Sequence, residues 1–275
     1  MSFTAIIQGP LSDECLEYIP TYFEYIDEVV LSCWADGISE DQHQRISLLE
    51  HTYGDSFKCV LSPLPSLDLV KLWMPDQSAN YYYQIYSTHK GMEQVTTKYA
   101  IKMRTDEYYS NLAPLIDVFL RDDEKFVSGN VFFKSVSVYP YHISDHLFVA
   151  KSSVLKKSFS LMVDQFNSKD KPKCRFLVMS VAPKENIFFW KKSVAKSVYK
   201  TAIEAVIAKV CLLYMGVPEE QIINDVRGVM GSKIDICDVN MLGSYRARWN
   251  RRGIIYNDVT NKYSGATTME QILVP

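Results

Sequence analysis

Short apolar, β-branched runs, each closed by turn residues and followed by helical spacing, constrain this chain more than any other feature. Residues 3–8 run into Gly9-Pro10, and 13–25 then take helical spacing with Ser12 or Asp13 available as N-cap. The run 28–34 (Glu-Val-Val-Leu-Ser-Cys-Trp) closes at Asp36-Gly37 and leads to a polar helix over 40–53; a third run, 58–62, stops at Pro63 and Pro65. Such βα units, one after another, predict a parallel sheet with helices on its faces.

The later chain continues the theme. The spacing predicts a helix over 80–97, a strand over 99–107, a helix over 112–120 and strands at 126–129 and 131–138, with Gly129-Asn130 as bulge or turn. A short buried strand over 147–150 precedes a helix over 154–166 that Ser152 can cap. An apolar run at 176–181, a helix at 187–190 opened by Pro183-Lys184-Glu185-Asn186, and an amphipathic helix over 198–214 ended by Gly216 and Pro218 follow. The segment 68–77 is irregular, and 219–275 is mixed, with arginines at 246, 248, 251 and 252.

Composition bounds the possible functions. With 275 residues, 47% hydrophobic and 23% charged, the chain can bury a sizeable core as one α/β domain, with or without a C-terminal extension. A net charge of −2 gives no global reason to expect nucleic acid, so any polyanion site must be local. Six scattered cysteines without a C-x-x-C pair suit reduced thiols in a cytoplasmic protein. No signal peptide is expected at the N-terminus. The most apolar long segment, 198–215, carries Lys200, Glu204 and Lys209 and reads as a packed helix rather than a membrane span.

The chemistry concentrates where the 99–107 run ends in Arg104-Thr105-Asp106-Glu107. An isolated acidic strand end is ordinary turn chemistry, yet in open α/β sheets ligands gather outside the carboxyl ends of strands. An acidic pair there can hold a divalent cation or a substrate hydroxyl. Gln8-Gly9-Pro10 closes the first strand, and a glycine at that point permits close backbone approach to a ligand. No G-x-x-x-x-G-K and no G-x-G-x-x-G occurs, which argues against P-loop and dinucleotide enzymes. Asp145 and Glu185 lie at element boundaries and compete for the role of base towards a sugar hydroxyl. Ser144-Asp145-His146 lacks a G-x-S-x-G elbow and makes a poor nucleophilic triad. His142 and His146 fit structural or acceptor-binding roles better than zinc ligation.

In order, Ile7-Gln8-Gly9-Pro10, Val30 to Trp34, Asn80 with Gln84 to Thr88 and Gly91, Tyr99 with Lys102 to Asp106, Ser144-Asp145 and Pro183-Lys184-Glu185 resemble the WavE-type lipopolysaccharide-synthesis family. That family is similar to GT-A glycosyltransferases, and the resemblance covers about 3–190. It implies a GT-A-like fold, a central mostly parallel sheet flanked by helices, as a single domain over 1–275 with 193–275 as a helical and basic extension packed on it. It also implies transfer of a sugar from a nucleotide-diphosphate donor to a glycan or lipid-linked saccharide acceptor in surface polysaccharide or lipopolysaccharide synthesis. Gln8, Gly9, Pro10, Asn80, Gln84, Thr88, Lys102, Arg104, Asp106 and Arg248 would bind the nucleotide sugar, and Asp106 would carry Mn2+ or Mg2+. Arg104 stands where the D-x-D motif has its first Asp. Asp145 or Glu185 would be the catalytic base. From charge and hydropathy no nucleic acid and no transmembrane span are expected, with room for peripheral membrane contact. The rival function is a nucleotide- or glycan-binding module without turnover; a two-metal phosphoester hydrolase would need more clustered ligands.

Overall fold

The structure, a computed structural model, describes residues 1–66, 80–130, 140–167, 203–243 and 245–247. Residues 3–8 form strand β1 (Phe3–Gln8), and β2 (Glu28–Trp34) and β3 (Phe57–Ser62) follow, linked by helices α1 (Asp13–Tyr22) and α2 (Glu40–Tyr53). Ser12, not Asp13, is the N-cap of α1 and accepts from the Cys15 backbone N–H at 3.2 Å. Ser39 and Gln42 make a capping box at α2.

Helix α3 (Asn80–Glu93) leads to β4 (Tyr99–Arg104), then β5 (Glu107–Tyr109), α4 (Ala113–Arg121), β6 (Phe126–Gly129), β7 (Phe148–Lys151) and α5 (Ser152–Asn167). The C-terminal part supplies α6 (Ile203–Tyr214), α7 (Glu219–Asn224), α8 (Val226–Lys233), β8 (Ile234–Cys237) and β9 (Tyr245–Ala247). The expected strand at 131–138, the apolar run at 176–181 and the helix at 187–190 lie outside the described residues.

Among the described residues, seven strands form one sheet in the order β3-β2-β1-β4-β7-β6-β8, and β5 pairs with β9 in a second sheet. Every neighbouring pair of the large sheet is parallel except β4–β7 and β6–β7, so β7 alone runs against the others. This is the mostly parallel, helix-flanked α/β architecture that the sequence implies. Within the segment read as a helical and basic C-terminal extension, 193–275, β8 pairs with β6 in the large sheet.

Strand alternation divides the core in two. Phe3, Ala5 and Ile7 pack with Tyr99, Ile101 and Met103 and with Cys15, Leu16, Ile19 and Phe119 on one face. Ile6, Ala100 and Phe148 pack on the other, with Tyr82, Ile85 and Met92 of α3, Phe159 of α5 and Ile207 of α6. Helix α3 lies close to the sheet because Gly91 is small: a Cβ there would meet Ile6 Cγ2 at 2.6 Å and Ser32 Cβ at 3.2 Å.

Three expectations about element ends change. The strand expected over 99–107 ends at Arg104, because Thr105 turns away: its N–H donates to Gln8 O at 3.0 Å and its hydroxyl to Pro10 O at 2.7 Å. Glu107 then begins the separate ladder with β9. The helix expected over 80–97 stops at Glu93, where the Gln94 and Val95 amides make turn bonds to Gly91 O and Met92 O. Ser152 is the first residue of α5 and not its cap.

Candidate functional site

Register brings the first polar groups together. Gln8, at the end of β1, stands opposite Ser32 of β2 and Arg104 of β4. Because side chains two apart on a strand share a face, Lys102 and Arg104 both project to the α3 side. Beside Gln8, Gly9 has φ +131°, and a Cβ on it would sit 2.7 Å from Thr105 Oγ1, so this crossing of β1 and the post-β4 turn excludes a side chain. Strand β7 runs antiparallel, so the chain that enters it, carrying Asp145 and His146, arrives at the same edge as the carboxyl end of β4.

Helix α3 completes the cluster with one stripe. Ser87 donates its hydroxyl to Gln8 Oε1 at 2.6 Å, and Ser32 donates its own to Ser87 O at 2.7 Å. Three residues earlier, Gln84 Nε2 donates to Asp145 Oδ2 at 2.8 Å. Trp34, at the end of β2, packs edge-on to Tyr83, ring centroids 5.5 Å apart, and along Tyr86.

A cluster of ionisable groups occupies the centre. Arg104 donates from Nε and Nη2 to the two oxygens of Asp106, at 2.8 and 2.9 Å. Its Nη1 lies 4.0 Å from Asp145 Oδ2. Lys102, fully buried, donates to the Asp145 carbonyl oxygen and lies over the Phe148 ring at 5.6 Å. His146 Nδ1 contacts Glu107 Oε1, its Nε2 is 3.5 Å from Asp145 Oδ1, and Tyr109 donates to Glu107 Oε2 at 2.9 Å.

Burial and charge pull these groups in opposite directions. Burial lowers Lys102 from 10.5 to about 8, and the nearby Asp145 charge only partly offsets it. Burial alone would raise Asp145, yet His146, Lys102, Arg104 and the Gln84 hydrogen bond together hold it well below the usual carboxylate range. Asp106 is likewise lowered, the Arg104 clamp outweighing burial; in return, against the pull of burial, Asp106 lifts Arg104 above its ordinary value. Asp145 and Asp106 are therefore carboxylates at neutral pH, each held by cations.

Among the residues that the sequence singles out, Gln8, Gly9, Gln84, Lys102, Arg104, Asp106 and Asp145 meet at this edge. Pro10 is exposed just beyond Gly9, and Asn80 is exposed at the start of α3. Thr88 is fully buried and donates to Gln84 O at 2.8 Å, so its hydroxyl serves its own helix. Glu185 and Arg248 lie outside the described residues; Ala247, which precedes Arg248, pairs with Glu107.

Sequence reasoning missed Ser87 and ranked Glu107 below Asp106. The spacing of Gln84, Ser87 and Gly91 along one helical stripe could have revealed Ser87. Glu107 had no such signal, because its partner His146 is 39 positions away.

The expected Mn2+ or Mg2+ fits these groups poorly. A hard cation needs oxygen ligands with lone pairs to spare, and both Asp106 oxygens already accept from a guanidinium whose charge would repel the ion. Among the described residues no group of three or more His, Cys, Asp or Glu is arranged to hold one. Among the same residues, no helix is long and apolar enough to cross a membrane.

Several solved structures show a weak similarity to this chain. The mannosyltransferase PcManGT from Pyrobaculum calidifontis, in complex with GDP-Man and Mn2+, is 11% identical over 84% of this chain and 75% of its own, with a TM-score of 0.42. Glucosyl-3-phosphoglycerate synthase from Mycobacterium tuberculosis, with Mn2+, UDP and glucosyl-3-phosphoglycerate, is 9% identical over 79% of this chain and 81% of its own, TM-score 0.35. HddC from Yersinia pseudotuberculosis, complexed with GMP-PN, is 10% identical over 57% and 79%, TM-score 0.35. Scores this low carry no weight for the site, and the fold rests on the strand order. A comparison with curated proteins found no match. Residues 60–158, which hold α3, β4, the Arg104–Asp106 clamp and Asp145, match the family described as WavE lipopolysaccharide synthesis.

Proposed function

We propose that this protein is a GT-A-like glycosyltransferase that moves a sugar from a nucleotide-diphosphate donor to a glycan or lipid-linked saccharide acceptor. One observation carries the reading: within the WavE-matching segment and the β1 end beside it, Gln8, Gln84, Lys102, Arg104, Asp106 and Asp145 converge at the carboxyl edge of a mostly parallel sheet. Ligands of open α/β sheets bind at that edge.

Gly9 lets the backbone come close to the nucleotide, and Gln8, with its amide oriented by Ser87, faces it. Arg104 meets the diphosphate charge, Lys102 adds to the positive field from its buried place behind it, and the arginines from 246 onward, Arg248 among them, are further candidates to add to it. In an inverting reaction the acceptor oxygen forms its bond to the anomeric carbon as the carbon–oxygen bond to the diphosphate breaks and the electron pair departs with the nucleotide. The acceptor's hydroxyl proton passes to Asp145, with Glu185 as the other candidate. The cations that keep Asp145 ionised also make it a weak base, so the proton moves late, when bond formation has already acidified the hydroxyl. No step is assigned to a divalent ion, because Asp106 is committed to Arg104.

A panel of UDP-, GDP- and CMP-linked sugars, followed by release of free nucleotide, tests the reading. Turnover with at least one donor, lost about 100-fold or more in Asp145→Asn, is the expected result. Calorimetric binding of a nucleotide with no release in the presence of any acceptor would instead favour a binding module.

A further inference from the structure

We propose that this site takes its nucleotide diphosphate without a divalent cation, Arg104 supplying the positive charge and Asp106 anchoring the guanidinium instead of a metal. The inference rests on the nucleotide-sugar reading above and concerns what neutralises the diphosphate within it.

The donor set supports it. The guanidinium plane of Arg104 is fixed by two parallel hydrogen bonds to Asp106, at 2.8 and 2.9 Å, the fork geometry in which arginine is most rigidly oriented. Its Nη1 end points between that clamp and Asp145, 4.0 Å away, while the side chain keeps 27% of its surface exposed. The cation is thus held in place and yet open to an incoming anion. Each remaining carboxylate of the cluster has a hydrogen donor of its own: Gln84 for Asp145, Tyr109 for Glu107. A divalent ion at Asp106 would have to expel a guanidinium from a half-buried carboxylate, and it would then sit beside that same positive charge. A fixed arginine plays the ion's part with no such displacement. The turn at Thr105, tied to Gln8 O and Pro10 O, keeps Arg104 and Asp106 two positions apart on one side and so maintains the clamp.

The test is calorimetric binding of UDP and GDP to the full chain, in excess EDTA and in excess Mn2+. The expected Kd for the nucleotide that binds is the same within about twofold in the two buffers. Arg104→Gln weakens that binding about tenfold or more in EDTA. Arg104→Asp, which pairs two acids around Thr105, makes binding depend on Mn2+. Circular dichroism of both variants establishes that they fold, and Mn2+ binding to the unaltered protein, followed by water proton relaxation, needs no variant at all. Nucleotide binding that disappears in EDTA and returns with Mn2+ overturns the inference while leaving the transferase reading intact. Failure of every nucleotide in both buffers removes the reading itself, and the inference with it.

Discussion

Lys102 offers a quantitative test of the charge cluster. Its side chain has no exposed surface, and burial lowers its pKa from 10.5 to about 8. In the unfolded chain a lysine keeps the ordinary value of about 10.4. Between those two values the unfolded chain holds a proton that the folded protein has shed, so stability rises with pH across that window. Below the folded pKa both states are protonated and the full penalty of burying the charge applies; above the unfolded pKa neither is. From pH 7 to pH 9 the folded state goes from mostly protonated to mostly neutral, which integrates to a gain of about 1 kcal/mol. Lys102→Met has no such gain. Urea unfolding of both proteins at the two pH values, followed by circular dichroism, gives the difference directly. The comparison cancels Lys209, also lowered to about 8, and buried thiols such as Cys15, pushed up to about 12, which act in the opposite direction. The unaltered protein should gain about 1 kcal/mol on the variant between pH 7 and pH 9; a constant difference, or one of opposite sign, would refute the buried, destabilised ammonium.

Other perturbations test separate parts of the structure. Gly91→Ala drives a methyl to within 2.6 Å of Ile6 Cγ2, so thermal unfolding should show a loss of about 1–3 kcal/mol; an unchanged melting temperature would mean that α3 sits farther from β1. Gln84→Ala removes the donor to Asp145 Oδ2, a loss of about 1 kcal/mol of orientation that should lower kcat several-fold with nucleotide affinity intact. An equal fall in affinity would assign Gln84 to the nucleotide instead. Cys15, Cys33, Cys211 and Cys237 are buried, with thiols pushed up by burial. Dithionitrobenzoate should label them only after denaturation, and rapid native labelling of any of the four would contradict its packing.

Much of the local structure was legible because its causes are local. β-Branched runs ending at Gly9-Pro10 or Asp36-Gly37 make strands and turns from the residues themselves, and Ser12 marks a helix start through a bond reaching only three residues ahead. Element ends were less legible. Nothing within 99–107 says that Thr105 will bond Gln8 O and Pro10 O, because those partners are more than ninety positions away and meet Thr105 only once β1 and β4 pair.

The site divides the same way. That Lys102, Arg104, Asp106 and Asp145 are candidates for one site was visible in residue type and in the resemblance their spacing carries. What Asp106 does was not. On a bare strand end, an aspartate two residues after an arginine suits a metal ligand as well as an anchor; the turn at Thr105 decides for the anchor by swinging the carboxylate onto the guanidinium. Likewise Asp145 acquires its cations from 43 and 41 positions away, Lys102 and Arg104, and its hydrogen donor from 61 away, Gln84. The sequence by itself determined the elements, their polarity pattern and the chemistry available, since those follow from side-chain identity and spacing along the chain. Only the tertiary structure decided the strand order, the reversal of β7 and the pairing of each charge. Those depend on which distant faces bury one another, and a buried charge takes whatever partner that packing brings within a few ångströms.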